Sequence, residues 1–134
     1  MAERPESGVI DTCVYIDLGQ VDAAALPVTP EITAVTMAEL HQGVAMAKDA
    51  ITRAARTEIL GAAIAEFDAL PFDSEAATRF GTLVALTLQA ERDPRSRRLD
   101  LMIAAIASVH GLPLFTRNEG DFKGLENMVE IVAV

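Results

Sequence analysis

The chain has no tryptophan, one tyrosine and one cysteine, and its 11 lysines and arginines face 20 aspartates and glutamates. Each shortage excludes something. A single cysteine, Cys13, rules out an intrachain disulfide and a thiolate-built metal site, and it fits a reducing compartment. Aromatic residues, at 4%, are too few for a broad platform on which single-stranded nucleic acid lays its bases. The formal net charge of −9 excludes a grip on nucleic acid through bulk positive potential, so any such role has to be local. Long apolar runs are missing too: Leu101 to Val109 falls far short of the roughly 20 residues that span a bilayer. The first residues carry Glu3, Arg4, Pro5 and Glu6 where a secretory signal is apolar. These features predict a soluble, cytoplasmic protein with no membrane association. Histidines are scarce as well. His41 lies two residues beyond Glu39, on a different helix face, and His110 stands at a helix end, so neither is poised for metal-free acid–base catalysis.

What is present is 134 residues, 51% of them hydrophobic, enough for one domain with a core of Ala, Val, Ile and Leu. The domain is expected to fill residues 1–134, with 1–7 as a short charged tail. Val9-Ile10 starts a strand ending at Asp11, followed by a helix carrying Val14, Tyr15 and Leu18. Tyr15 is expected in the core or at a dimer contact. Ile32 to Val35 repeats the pattern as a strand leading into a helix from Thr36 through Ala47. Ile51, Ala55, Ile59 and Ala63 mark one helix face, and Ala76, Phe80, Leu83 and Thr87 another that begins near Asp73, with a short strand at Leu70-Pro71-Phe72 between them. Leu99 to His110 reads as a helix closed by a left-handed Gly111, Leu112 to Phe115 as a buried strand, and Met128 to Val134 as the last strand. Alternating strands and helices predict an α/β fold, a parallel β-sheet with helices on both faces. Ligands in such folds bind beyond the carboxyl ends of the strands.

That edge is where the acids fall. Asp11 closes the first strand, Glu39 lies in the first turn after the second, Asp100 precedes the apolar helix, and Asp121 follows the Leu112–Phe115 strand. Singly, Asp11 and Asp100 are equally well read as helix N-caps, Glu39 as a first-turn acid favoured by the helix dipole, and Asp121 as a turn residue. Together they repel one another and raise each other's pKa unless a cation neutralises them, and Mg²⁺ or Mn²⁺ prefers such oxygen donors. Thr36, Thr116 and Asn118 offer neutral groups to orient carboxylates and waters, or plain N-caps for Thr36 and Asn118.

The runs Val9-Ile10-Asp11-Thr12, Thr36-Met37-Ala38-Glu39-Leu40 with Gly43, Asp100 with Ile103-Ala104-Ala105, and Thr116-Arg117-Asn118 with Asp121-Phe122 resemble the four acidic motifs of PIN-domain nucleases. The resemblance covers Val9 to Val134, and a compact chain without added modules is similar to the VapC toxins of toxin–antitoxin pairs. It implies a PIN-like fold and an Mg²⁺- or Mn²⁺-dependent endoribonuclease. It makes Asp11, Glu39, Asp100 and Asp121 the catalytic quartet, Asp11, Asp100 and Asp121 the metal ligands, and Thr36, Thr116 and Asn118 supporting residues. It also implies a small VapB-like antitoxin, a homodimer, and a heterotetramer or larger assembly with antitoxin. Water as the nucleophile, and not the ribose 2′-hydroxyl, would leave 5′-phosphate and 3′-hydroxyl ends. Cys13 departs from the family pattern, where a small polar residue is common.

Arg92, Arg95, Arg97 and Arg98 ahead of Asp100, with Arg117 beside Thr116, are candidates for RNA phosphate contacts, against a solvated loop paired to Glu91 and Asp93. Apolar surface on the early helices is the expected antitoxin site, for an amphipathic helix in a groove. Rival readings are an RNA-processing PIN nuclease without antitoxin, a catalytically silent PIN-like binding module, and a phosphatase or receiver-like switch. Haloacid-dehalogenase-like enzymes want a second Asp where Cys13 stands, and receiver domains want a lysine after a late strand that Phe115-Thr116 does not supply.

Overall fold

A computed structural model describes residues 4–134. Four short strands form one parallel sheet: β1 (Ser7–Ile10), β2 (Thr29–Glu31), β3 (Leu114–Thr116) and β4 (Ile131–Ala133), in the spatial order β2-β1-β3-β4. Helices α1 (Thr12–Ile16), α2 (Ala34–Ala45), α3 (Ala50–Glu66), α4 (Ser74–Gln89) and α5 (Arg98–Val109) connect and cover it. Side chains alternate across a strand. Accordingly Val9 and Leu114 join one apolar cluster with Leu83 of α4 and Leu101 to Ala107 of α5. Ile10 and Phe115 join a second with Val14, Tyr15, Leu40, Leu60 and Ala63 of α1, α2 and α3. Two cores on opposite faces of the sheet explain why Val9-Ile10 and Leu114-Phe115 of its central strands are apolar at consecutive positions.

Several boundaries differ from those expected. The second strand is Thr29–Glu31, ahead of Ile32 to Val35; Ile32 is fully buried beyond its end, and Thr33 forms only an isolated bridge to Leu70. Helix α2 is capped by Thr33, whose hydroxyl accepts from the Thr36 amide at 3.2 Å, so Thr36 is inside the helix and Glu39 stands in its second turn. The Thr33 hydroxyl outcompetes Thr36 because it meets an unpaired amide three residues on. Leu70-Pro71-Phe72 contributes one bridge and no strand, since Pro71 has no amide to donate. The last two strands, Leu114–Thr116 and Ile131–Ala133, are shorter than expected. Along α3 only Leu60 and Ala63 are buried, and Ile51 is 84% exposed, so the expected face is covered at its C-terminal end alone.

Of the expected tail, Met1 to Glu3 lie outside the described residues, and Arg4 to Glu6 are docked. The Arg4 guanidinium donates to the Leu26 carbonyl at 2.6 Å, and the Pro5 and Glu6 carbonyls accept from Val28 and Thr29. Strand β1 begins at Ser7, and Gly8 is required there: a Cβ at that position would stand 2.5 Å from the Phe115 ring. Gly111, at φ +64°, closes α5 in the left-handed conformation, as expected. No described helix is long and apolar enough to cross a membrane.

Candidate active site

The connection from β1 runs to β2 on one side, and β3 pairs on the other, so the gap beyond the carboxyl ends of β1 and β3 is the switch point where an open α/β sheet holds its ligand. Asp11 follows β1 directly. Only 5% exposed, it is also the N-cap of α1, and its Oδ1 accepts from the Thr12 amide at 2.8 Å. The capping and functional readings are therefore compatible at this residue. Its Oδ2 accepts from the Thr116 hydroxyl at 2.9 Å, which ties the ends of the two central strands together. Thr116 Oγ1 in turn accepts from the Asn118 amide at 3.0 Å. Thr116 hydrogen-bonds Asp11 through its hydroxyl, whereas Asn118 joins this network through its backbone amide and its side chain caps nothing.

Glu39 is reached from the other side by a residue the sequence reading passed over. The buried Thr12 hydroxyl donates to Glu39 Oε1 at 2.8 Å and lies 2.9 Å from the Thr36 hydroxyl. With its one proton given to Glu39, Thr12 receives from Thr36, so Thr36 acts on Glu39 through Thr12. The sequence signal was Asp11-Thr12 itself: a hydroxyl at the first helical position, beside the strand-end acid.

Asp100 sits inside the first turn of α5, and Asp121 in the 3-10 turn Glu119–Phe122 whose Phe122 is anchored in the core. Electrostatics joins all four acids. Asp100 is pushed up to about 7 by burial first, then by the charges of Asp11, Asp121 and Glu39. Asp11 is raised by burial and, less, by Asp121, against the opposing hydrogen bonds from Thr116 and Thr12. Glu39 is raised by burial and by Asp11, against the Thr12 bond. Among the described residues none of the four acids is in an ion pair. The donors gathered there are hard carboxylate and hydroxyl oxygens, the kind that Mg²⁺ or Mn²⁺ takes. No three acidic, histidine or cysteine side chains among the described residues form a ready-made cage.

Cys13 shares the site. Its thiol lies 3.5 Å from Asp11 Oδ2 and 3.9 Å from Thr116 Oγ1, and burial raises its pKa above the ordinary thiol value, which keeps it protonated. His41 and His110 are exposed. Tyr15 belongs to the core, with its ring edge-on to Phe67 and its hydroxyl on the Ile59 carbonyl.

The five candidate arginines separate. Arg92 donates to the Gly120 carbonyl, Arg95 pairs with Asp93 at 3.2 Å, and Arg117 pairs with Asp17 at 2.9 Å. Arg97 touches the Asp93 carbonyl and Ser96, its Nε has no partner, and its charge opposes the rise at Asp100. Arg98 is exposed and makes no side-chain hydrogen bond among the described residues; with Arg95, Ser96, Leu99, Glu39 and Asp100 it lines a groove of 470 Å³. A second groove of 510 Å³ is lined by Ile16, Leu40, Met46 and Ile59 together with Glu39, Gln42 and Arg56.

The PIN domain family matches residues 9–127. The chain is 37% identical over 139 residues to Ribonuclease VapC5 of Mycobacterium tuberculosis, covering all of both chains. The crystal structure of VapBC-5, a member of the VapBC family of toxin–antitoxin systems from Mycobacterium tuberculosis, superposes with a TM-score of 0.86 at 37% identity, over 97% of this chain and 100% of that one. VapBC2 from Rickettsia felis bound to a DNA fragment from its promoter shares the fold, with a TM-score of 0.73 at 21% identity, over 96% of this chain and 98% of that one. The chain belongs to the PIN-domain family and, within it, is a homologue of the VapC ribonucleases.

Proposed function

We propose that the chain is the toxin of a VapBC-type pair, an endoribonuclease dependent on Mg²⁺ or Mn²⁺ that hydrolyses RNA phosphodiesters to 5′-phosphate and 3′-hydroxyl ends. One observation carries the reading: acids from four separate stretches of chain stand close enough for the charges of Asp11, Asp121 and Glu39 to disfavour that of Asp100, opposed only in part by Arg97 and with none of the four in an ion pair among the described residues. Asp11, Asp100 and Asp121 would hold the divalent ion. When bound, the ion neutralises these carboxylates and stabilises charge developing on the phosphate oxygens. Glu39 has one oxygen fixed by Thr12, and its Oε2 accepts the proton of the attacking water. Thr116 and the cap at Thr12 hold Asp11 in one orientation, so that the site is organised before RNA arrives.

RNA reaches the acids along the groove bordered by Arg98, with Arg97 alongside, so that local positive charge offsets the overall negative field. The antitoxin docks an apolar segment in the groove of Ile16, Leu40, Met46 and Ile59, beside Glu39. A homodimer, and a heterotetramer or larger complex with antitoxin, complete the reading, which places the protein in the cytoplasm. The test is incubation of purified protein with RNA in Mg²⁺, Mn²⁺ or EDTA, beside D11A, E39Q, D100N and D121N. Cleavage is expected with either metal, lost in EDTA and lost in each variant; undiminished cleavage by D11A would remove the acidic site from the mechanism.

A further inference from the structure

Arg92 follows the end of α4, where the chain turns through Glu91 at φ +61°. That turn carries the Arg92 guanidinium to the exposed Gly120 carbonyl, one residue before Asp121. The two segments also meet behind this bond. A Cβ on Gly124, at φ +96°, would stand 3.0 Å from the Ala90 Cβ and 3.6 Å from the Leu86 carbonyl oxygen, so the loop after Asp121 lies against the last turn of α4. Phe122, next to Asp121, is sunk in the core. Asp121 is thus on a short turn held by Phe122 and by Arg92, and its own charge registers at both Asp11 and Asp100. The Gly120 carbonyl is the one partner of the Arg92 side chain among the described residues, reached through Nη1.

We propose that Arg92 is a positioning residue: its guanidinium, presented by the end of α4, fixes the Gly120 carbonyl and thereby the place of the Asp121 carboxylate in the acidic site. The proposal rests on the reading of that site as a divalent-ion site. It removes Arg92 from the RNA-contacting set and makes the α4 terminus part of the scaffold of the fourth acid.

The test is Mn²⁺ binding to the full chain, followed by the electron paramagnetic resonance signal of free Mn²⁺, for wild type, R92A, R92K and D11A. Affinity for a short single-stranded RNA in EDTA is measured in parallel. R92A is expected to weaken Mn²⁺ binding about tenfold, within the range for loss of a group that orients a metal ligand. RNA affinity in EDTA should change less than about twofold, because no phosphate contact is lost. R92K keeps one donor for the Gly120 carbonyl and is expected to recover most of the Mn²⁺ affinity. Metal-free hydrogen exchange adds a readout independent of the ion, with Glu119–Phe122 amides exchanging faster in R92A while those of α5 are unchanged. Mn²⁺ binding by R92A equal to wild type, an R92K as weak as R92A, unchanged exchange at Glu119–Phe122, or a loss of RNA affinity without a loss of Mn²⁺ overturns the proposal. Undiminished Mn²⁺ binding by D11A overturns the divalent-ion reading and the proposal with it, whereas a loss in D11A with none in R92A overturns the proposal alone.

Discussion

The Thr12 hydroxyl donates to Glu39 Oε1 at 2.8 Å, joining the start of α1 to the second turn of α2 across 27 residues of sequence. Thr36 closes the chain of hydroxyls behind it. Replacing Thr12 with the isosteric valine leaves both the Thr36 hydroxyl and Glu39 short of a partner in a buried place, at a cost of about 1–3 kcal/mol. Loss of an orienting partner should also lower RNA cleavage by about 10–100-fold. T12S keeps the hydroxyl and should retain most of both. Urea denaturation and cleavage assays on the two variants check this, and a T12V enzyme of normal activity would exclude Thr12 from the site.

The charge state of Asp100 sets a pH dependence with a definite sign. Its folded pKa is pushed up to about 7 from an ordinary 3.8, so between those values the folded chain keeps a proton that the unfolded chain has released. The stability from this group is fully present below 3.8 and lost as pH rises through about 7. Burial moves Asp11 and Glu39 in the same direction. In EDTA, stability should therefore fall as pH rises from 3.8 to about 7, and D100N should flatten the slope. Divalent-ion binding near neutral pH should release protons, measurable by calorimetry in buffers of different ionisation enthalpy.

The places of Asp11 and Asp100 were legible from sequence because both sit at element boundaries, where local patterning is strongest. Asp11 after Val9-Ile10 and Asp100 ahead of Leu101 to Val109 mark places where an apolar run meets a carboxylate, and both stand at the sheet edge or the first turn as that pattern implies. The contacts of Thr12 and Arg92 were not legible. Each depends on which hydroxyl, carbonyl or amide another stretch of chain brings within hydrogen-bond reach, 27 residues away for Thr12 and 28 for Arg92. The shift of the second strand to Thr29–Glu31 has a similar origin. Its register is set by pairing with Ser7 to Val9, while the more strand-like Ile32 to Val35 is taken by the sheet's end and by the cap of α2.

The arginines should divide by their present partners. R98A is expected to weaken RNA binding in EDTA and to lower the slope of log affinity against log salt by about 0.7, the share of one phosphate on a single strand. R95A should have a much smaller effect, because Arg95 is already committed to Asp93. Binding isotherms at several salt concentrations distinguish them. Equal slopes in R98A and wild type would dismiss the groove as the path of the RNA.

Glu91 is the one described non-glycine residue at positive φ. A left-handed backbone with a Cβ costs roughly 1–2 kcal/mol, part of which glycine gives back through its greater freedom when unfolded. E91G, with Arg92 retained, should therefore raise stability by about 0.5–1 kcal/mol, or a few degrees in Tm. Thermal melting checks it, and a lower Tm would mean that the Glu91 side chain contributes more than its backbone costs.

Water, delivered at the acidic edge of the sheet, is the proposed agent that breaks the RNA. Sequencing both new ends of RNA cut by the purified wild-type protein in Mg²⁺ tests this directly. The account predicts 5′-phosphates facing 3′-hydroxyls, with no cuts in EDTA. Cuts that persist in EDTA and end in 2′,3′-cyclic phosphates would contradict it.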